Sequence, residues 1–167
     1  TGGVHGANRV GQNSLADTLV SGSRAGRYAA KHAAKVKGVA LLEDEVSKEY
    51  ERIYGVLTSD ARAKNEIRPS EIKEKIQSIM WNKVGIIRDE KKLQEALKEL
   101  RDIRKNDIPR IAIMSKSIRF NKEWIDAIGL SFMLDTAELV TKSALFRKET
   151  RGAHYREDYP RINNDFL

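Results

Sequence analysis

Apolar positions along this chain recur every three to four residues, the period of a helix that buries one face. Leu15 and Leu19 open the first run, over residues 13–34. Gly22, Gly26 and Ala30 then repeat every fourth position, beside Ala25, Ala29 and Ala33, so this helix can approach a neighbour closely. Asn13 or Ser14 suits its N-cap, Ser14-x-x-Asp17 resembles a capping box with Asp in place of Glu, and Gly38 suits its stop. A second run over 40–57 carries Leu41, Leu42, Val46, Tyr50, Ile53, Tyr54 and Leu57. After a polar stretch over 58–68, Pro69-Ser70 starts a third helix. Its apolar face is Ile72, Ile76, Ile79 and Met80, extended by Trp81 and Val84. Gly85 interrupts, and Asp89 caps a fourth helix with Leu93, Ala96, Leu97, Leu100 and Ile103, before a break at Pro109. Asn121 caps a long last helix reaching about Arg147. It carries Trp124, Ile125, Ile128, Phe132, Leu134, Ala137, Leu139, Val140, Ala144 and Leu145. From Lys148 the periodicity stops, and Arg151 to Pro160 is charged, aromatic and irregular.

Residues 40–147 therefore predict a bundle of three to five helices with short loops. Residues 1–12, with Gly2, Gly3, Gly6 and Gly11, predict a loop leaving a strand. A glycine-rich turn feeding a small-residue helix is the unit found at the edge of a nucleotide-binding α/β domain. The chain opens Thr1-Gly2-Gly3-Val4 without methionine, which reads as a processed chain or a piece of a longer one.

Charge modifies this picture. The 167 residues carry 31 Lys+Arg against 24 Asp+Glu, a net +7. The excess sits in residues 1–38, where Arg9, Arg24, Arg27, Lys31, Lys35 and Lys37 face only Asp17. The remainder is mixed in sign, as on solvated helix faces. With 7% aromatic residues and no RRM-like or zinc-finger spacing, the charge does not predict nucleic-acid binding. The absence of cysteine excludes disulfide scaffolds, thiolate zinc sites and any iron–sulfur cluster ligated within the chain. No apolar run approaches the ~18 residues of a membrane span, and no signal-peptide pattern is present. A cytosolic, reducing compartment fits best.

The candidate chemistry lies between His5 and Leu19. A helix N-terminus at about Ser14 and Leu15 offers free N–H groups to an anion or carbonyl. Arg9, on a glycine-flanked loop just before it, is a bidentate clamp for carboxylates. His5 orders the loop or else belongs to the ligand site, Asn13 caps or supports the helix, and His32 lies on a solvated basic face. In the tail, His154 with Arg151, Arg156, Glu157 and Asp158 predicts a charge network that pins the segment, or else contacts a partner.

The string His5-Gly6-Ala7-Asn8-Arg9, then Gly11 and Asn13-Ser14-Leu15 heading a helix, resembles the flavoprotein subunits of succinate dehydrogenase and fumarate reductase. Adenylylsulfate reductase and L-aspartate oxidase are relatives. Residues 80–97 look like the bundle helices of that family. Residues 143–160, with Arg151-Gly152-Ala153-His154-Tyr155-Arg156-Glu157-Asp158-Tyr159-Pro160, are similar to its C-terminal signature. Val10 stands for the usual leucine, Ser21-Gly22-Ser23 for an aromatic–Gly–Arg run, and the residues after Pro160 diverge.

The resemblance implies a mainly α fold. A C-terminal helical bundle of about three long helices is preceded by the terminal strand/loop–helix edge of an FAD-binding α/β domain. On this reading residues 1–38 are that edge, 39–147 the helical bundle and 148–167 an irregular tail. The family's dinucleotide fingerprint, its mobile capping domain with the proton-shuttling arginine, and any flavin-attachment histidine have no counterpart here. Arg9 matches the arginine that binds a substrate carboxylate. Ser14 and Leu15 match the residues whose backbone N–H groups face the pyrimidine end of the flavin. No metal ligand is implied, and no catalytic residue falls within the chain.

The implied activity is interconversion of succinate and fumarate by hydride transfer to or from FAD in the full subunit, within electron transport and the tricarboxylic acid cycle. The isolated chain is expected to be inactive and to bind no FAD. Implied partners are an iron–sulfur subunit, membrane anchor subunits and a dicarboxylate, with no nucleic acid and no direct membrane insertion. The implied location is cytoplasmic, peripheral on the inner face of the membrane through partner subunits. The alternatives are an L-aspartate oxidase fragment, whose tail usually departs from this pattern, and a non-enzymatic basic helical binding module, which leaves residues 5–19 unexplained.

Overall fold

The computed structural model describes residues 13–36, 38, 40–58 and 66–166. The predicted strand and loop over 1–12, with His5 and Arg9, and most of the polar stretch over 58–68 lie outside the described residues. Among the described residues, five α-helices follow one another: α1 (Asn13–Ala33), α2 (Glu43–Thr58), α3 (Pro69–Val84), α4 (Glu90–Asp102) and α5 (Lys122–Phe146). Two short strands, β1 (Ile87–Arg88) and β2 (Tyr155–Arg156), pair in parallel with Ile87 opposite Tyr155 and Arg88 opposite Arg156.

Helix starts obey their local chemistry. Asp89 Oδ1 accepts the Lys92 N–H at 2.8 Å, and Asn121 Oδ1 accepts the Trp124 N–H at 3.0 Å, so both predicted N-caps are present. Pro69 opens the first turn of α3, where its missing N–H removes no helical bond. The end of α4 is governed by Pro109. Helical pairing loosens to a π turn over Ile103–Asp107, where Ile108 N–H reaches back to Ile103 O, and then tightens to a 3-10 turn over Ile108–Arg110.

α3, α4 and α5 form the core. Ile72 and Ile76 of α3, Leu100 of α4, the following Ile103, and Leu130, Leu134 and Ala137 of α5 interlock with Ile67. Val84, Leu93, Ala96 and Ala144 extend this contact toward β1. α2 docks at the other end. Its Ile53, Tyr54, Val56 and Leu57 pack against Ile113, Trp124 and Ala127, and Trp124 Nε1–H donates to Ile53 O at 2.7 Å.

Several apolar positions predicted to be inward point out instead. Ile125, Phe132 and Leu139 are exposed, while Leu130, Leu134, Ala137, Thr141 and Ala144 are buried. The exposed three recur every seventh residue and so share one row, on the face of α5 turned away from α3 and α4. Trp81 on α3 and Leu41, Leu42, Val46 and Tyr50 near the start of α2 are likewise exposed. α1 presents Leu15, Leu19, Val20 and Tyr28 to solvent, and a Cβ built at Gly22 or Gly26 meets nothing within 4 Å. Among the described residues, nothing occupies its small-residue stripe. No described helix is long and apolar enough to cross a membrane.

Candidate functional site

The predicted binding end of α1 is partly in view. The helix begins at Asn13, with Ser14 in its first turn; the residues before Asn13, on which the cap depends, lie outside the described residues. Asp17 Oδ1 accepts the Ser21 Oγ–H at 2.5 Å, and Ser14 O accepts the Thr18 hydroxyl at 2.7 Å. Ser14 is half-buried and Leu15 exposed. No acidic side chain occupies the first turn, and Lys31 and His32 occupy the last. Among the described residues, no carboxylate sits in the first turn at the positive end of the helix dipole, where backbone N–H groups have no helical acceptors. Those two features suit an electron-rich carbonyl placed against Ser14 and Leu15. Arg9 and His5 lie outside the described residues.

The tail is the other concentration of charge, and it folds back onto the bundle. Arg156 is fully buried. Its Nε and Nη2 donate to Asp158 Oδ1 and Oδ2, both at 2.7 Å, and its Nη1 donates to Ala144 O at 2.7 Å, an end carbonyl of α5. Glu149 is also fully buried. It accepts from Arg147 Nη1 at 2.9 Å, from Arg151 Nε at 3.0 Å and from Asn163 N–H at 2.8 Å. Hydrogen bonds from Arg151 and Arg156 hold the Glu149 and Asp158 carboxyls below the usual carboxylate range.

His154 completes the clasp. Its ring lies between Arg88 Nη1, at 2.8 Å from Nδ1, and Arg147 O, at 2.9 Å from Nε2. The pinning predicted for the tail is what the geometry displays. Glu157 enters it through its backbone, whose N–H donates to Arg88 O at 2.9 Å, rather than as a buried charge. Sequence reasoning missed Arg88, Arg147 and Glu149. The alternation Arg147-x-Glu149-x-Arg151 held a signal for two of them, because an extended chain puts alternate side chains on one side.

Comparison with known proteins bears on both regions. A family model described as fumarate reductase flavoprotein C-term matches residues 73–167. The chain is 40% identical over 164 residues to a fumarate reductase (CoM/CoB) subunit of Methanothermobacter marburgensis, covering 96% of this chain and 28% of that protein. It is 35% identical over 162 residues to the succinate dehydrogenase flavoprotein subunit of Rickettsia bellii, covering 96% of this chain and 26% of that one. Among solved structures, a chain of the Mycobacterium smegmatis Sdh1 complex in the apo form superposes with a TM-score of 0.90 at 34% identity, covering 99% of this chain and 27% of that chain. The chain thus spans little more than a quarter of the length of these relatives. These matches favour neither the L-aspartate oxidase reading nor the basic binding module. The order of motifs, the three-helix core and the clasped tail agree with them: the chain belongs to the succinate dehydrogenase/fumarate reductase flavoprotein family, of which it carries the C-terminal helical region.

Proposed function

We propose that this chain works as the C-terminal part of a longer FAD-dependent subunit that interconverts succinate and fumarate. The observation that carries the reading is the run His5-Gly6-Ala7-Asn8-Arg9 leading into a helix whose first turn holds Ser14 and Leu15. It stands in a chain that is 40% identical, over nearly its whole length, to part of a fumarate reductase. Residues 1–38 belong to the edge of the FAD-binding domain, 39–147 to the helical domain and 148–167 to its tail.

Succinate becomes fumarate by losing one hydrogen as hydride and its neighbour as a proton, and FAD supplies the hydride acceptance and donation. Arg9 clamps one substrate carboxylate with its forked N–H donors, fixing the carbon skeleton in register. The backbone N–H groups of Ser14 and Leu15 stabilise the negative charge that develops at the pyrimidine end of the reduced cofactor, by about 0.3–2 kcal/mol, which raises its reduction potential. The positive excess of residues 1–38 favours a dianionic substrate at this end of the chain. Electrons leave through iron–sulfur centres held by a separate subunit, which with membrane anchor subunits keeps the enzyme on the cytoplasmic face of the membrane; this part of the flavoprotein has no cysteine to hold such a centre itself.

The 167 residues on their own hold no stoichiometric flavin and do not oxidise succinate with an artificial dye. In the full-length protein, Arg9→Lys loses most turnover while the flavin stays bound, because a point charge replaces a planar fork. Unchanged kinetics in that variant would overturn the role of Arg9. Tight FAD binding by the 167-residue chain would overturn its place as part of a larger site.

A further inference from the structure

One buried titratable group has no part in the proposed chemistry. His154 is 6% exposed and stands at the joint between the bundle and its tail. Its two ring contacts allow one protonation state. A guanidinium only donates and a carbonyl only accepts, so Nδ1 is the bare acceptor facing Arg88 and Nε2–H donates to Arg147 O. A second ring proton sets N–H against N–H at Arg88. The charged groups acting on the ring are Arg88 from β1, Arg156 from β2 and Arg147 from the end of α5, all cationic. The tail carboxylates Glu149 and Asp158 are engaged by Arg147 and Arg151 and by Arg156. Burial lowers the imidazole most, the bond to Arg147 O partly opposes it, and the three cations lower it further, leaving it below the ordinary histidine range.

The contacts around the ring transmit its state. Arg88 Nε also donates to Val84 O at 2.9 Å and Gly85 O at 2.8 Å, tying the clasp to the end of α3. His154 closes a tight turn with Arg151, N–H to carbonyl in both directions at 2.8 and 3.0 Å, and the next residue begins β2.

We propose that His154 is a proton-operated latch: the neutral ring clasps β2 and the tail to the bundle, and ring protonation expels Arg88 and releases β2 from β1 while α3, α4 and α5 stay folded. The released tail takes up the proton at the ordinary histidine value of about 6.5, and the clasped tail resists it. The latch is therefore closed above that pH and loosens as pH falls below it.

Amide hydrogen exchange on the 167-residue chain at pH 7.5 and 5.5, corrected for intrinsic rates, tests this. Protection of the Glu157 N–H, which bonds Arg88 O, falls by up to about ten-fold at the lower pH. The Leu134 amide in α5 keeps its protection. His154→Gln retains one acceptor and one donor but cannot titrate, and its tail protection stays the same at both values. Ring-nitrogen NMR of the unsubstituted protein gives an independent reading, in which His154 titrates with the same midpoint as tail opening. Equal loss of protection in His154→Gln overturns the latch. So does a ring that titrates while Glu157 stays protected, a ring that remains neutral throughout, or loss at Leu134 in step with the tail.

Discussion

Arg156 and Asp158 meet through two parallel hydrogen bonds of 2.7 Å, with the guanidinium wholly shielded from water and set 5.0 Å from the Tyr159 ring. The same guanidinium closes the C-terminal end of α5 through Ala144 O. A buried cation that loses its counter-ion retains its desolvation cost and loses the compensation. Asp158→Asn is expected to destabilise the fold by about 3 kcal/mol, the lower end for a broken buried pair, because Asp158 itself keeps some solvent contact. Urea unfolding followed by circular dichroism measures this. A loss below about 0.5 kcal/mol would place the pair with ordinary surface salt bridges.

Acid sensitivity follows from the same carboxylates. Asp158, Asp89 and Glu149 are held below their ordinary pKa values by hydrogen bonds from Arg156, from Lys92 and from Arg151. A depressed folded value means that the unfolded chain binds protons first as pH drops. Their stabilisation is complete above the ordinary carboxylate range of about 4 and is lost progressively as pH falls from there through the depressed folded values. The urea midpoint should be level between pH 7 and 5 in His154→Gln, and then drop steeply. In Asp158→Asn the steep part should be shallower, and an unaltered slope would contradict this assignment.

Asn121 does more than cap α5. Its Oδ1 takes the Trp124 N–H, and its Nδ2 donates to Ser115 O at 2.7 Å and Ser117 O at 2.8 Å, binding the preceding loop to the helix start. Asn121→Ala loses a cap worth about 1 kcal/mol and leaves two loop carbonyls without this donor, for a total of about 2–3 kcal/mol. Asn121→Asp keeps the cap and loses the donors, so its melting temperature should fall between those of Ala and the unsubstituted protein.

Gly85, just past α3, has φ −58° and ψ −148°. A Cβ there lies 2.6 Å from the Trp81 carbonyl oxygen, a backbone atom that cannot swing away. Gly85→Ala should cost about 1–3 kcal/mol by forcing the α3–β1 turn to shift. Thermal unfolding of that variant, beside Gly129→Ala where nothing lies within 4 Å, separates steric conflict from a general effect of replacing glycine.

Two leucines five residues apart on α5 contrast cleanly. Leu134 is fully buried and Leu139 is 63% exposed. Leu134→Ala should cost about 2–5 kcal/mol, and Leu139→Ala less than about 0.5 kcal/mol, both by denaturant unfolding.

Much of this architecture was legible in the amino-acid order. The caps at Asp89 and Asn121, the start at Pro69 and the breaks at Gly85 and Pro109 are local, because each depends on side chains within a turn of the backbone group they satisfy. Buried rows such as Ile72–Ile76 and Leu93–Ala96–Leu100 follow from helical periodicity. The motif around Arg9, Ser14 and Leu15, taken together with the Arg151–Pro160 signature, pointed to the family from the residue order alone. Three-dimensional packing settled what periodicity cannot. It turned Ile125, Phe132 and Leu139 outward, since an apolar helix face says only that burial is favourable and not which neighbours are present to provide it. It also buried Glu149 and Arg156 and seated His154 between Arg88 and Arg147 O. Arg88 and Arg147 are far apart in sequence, and Glu149 and Arg156, whose ion partners are only two residues away, are buried because the tail folds onto the end of α5, where carbonyls and N–H groups complete their bonding.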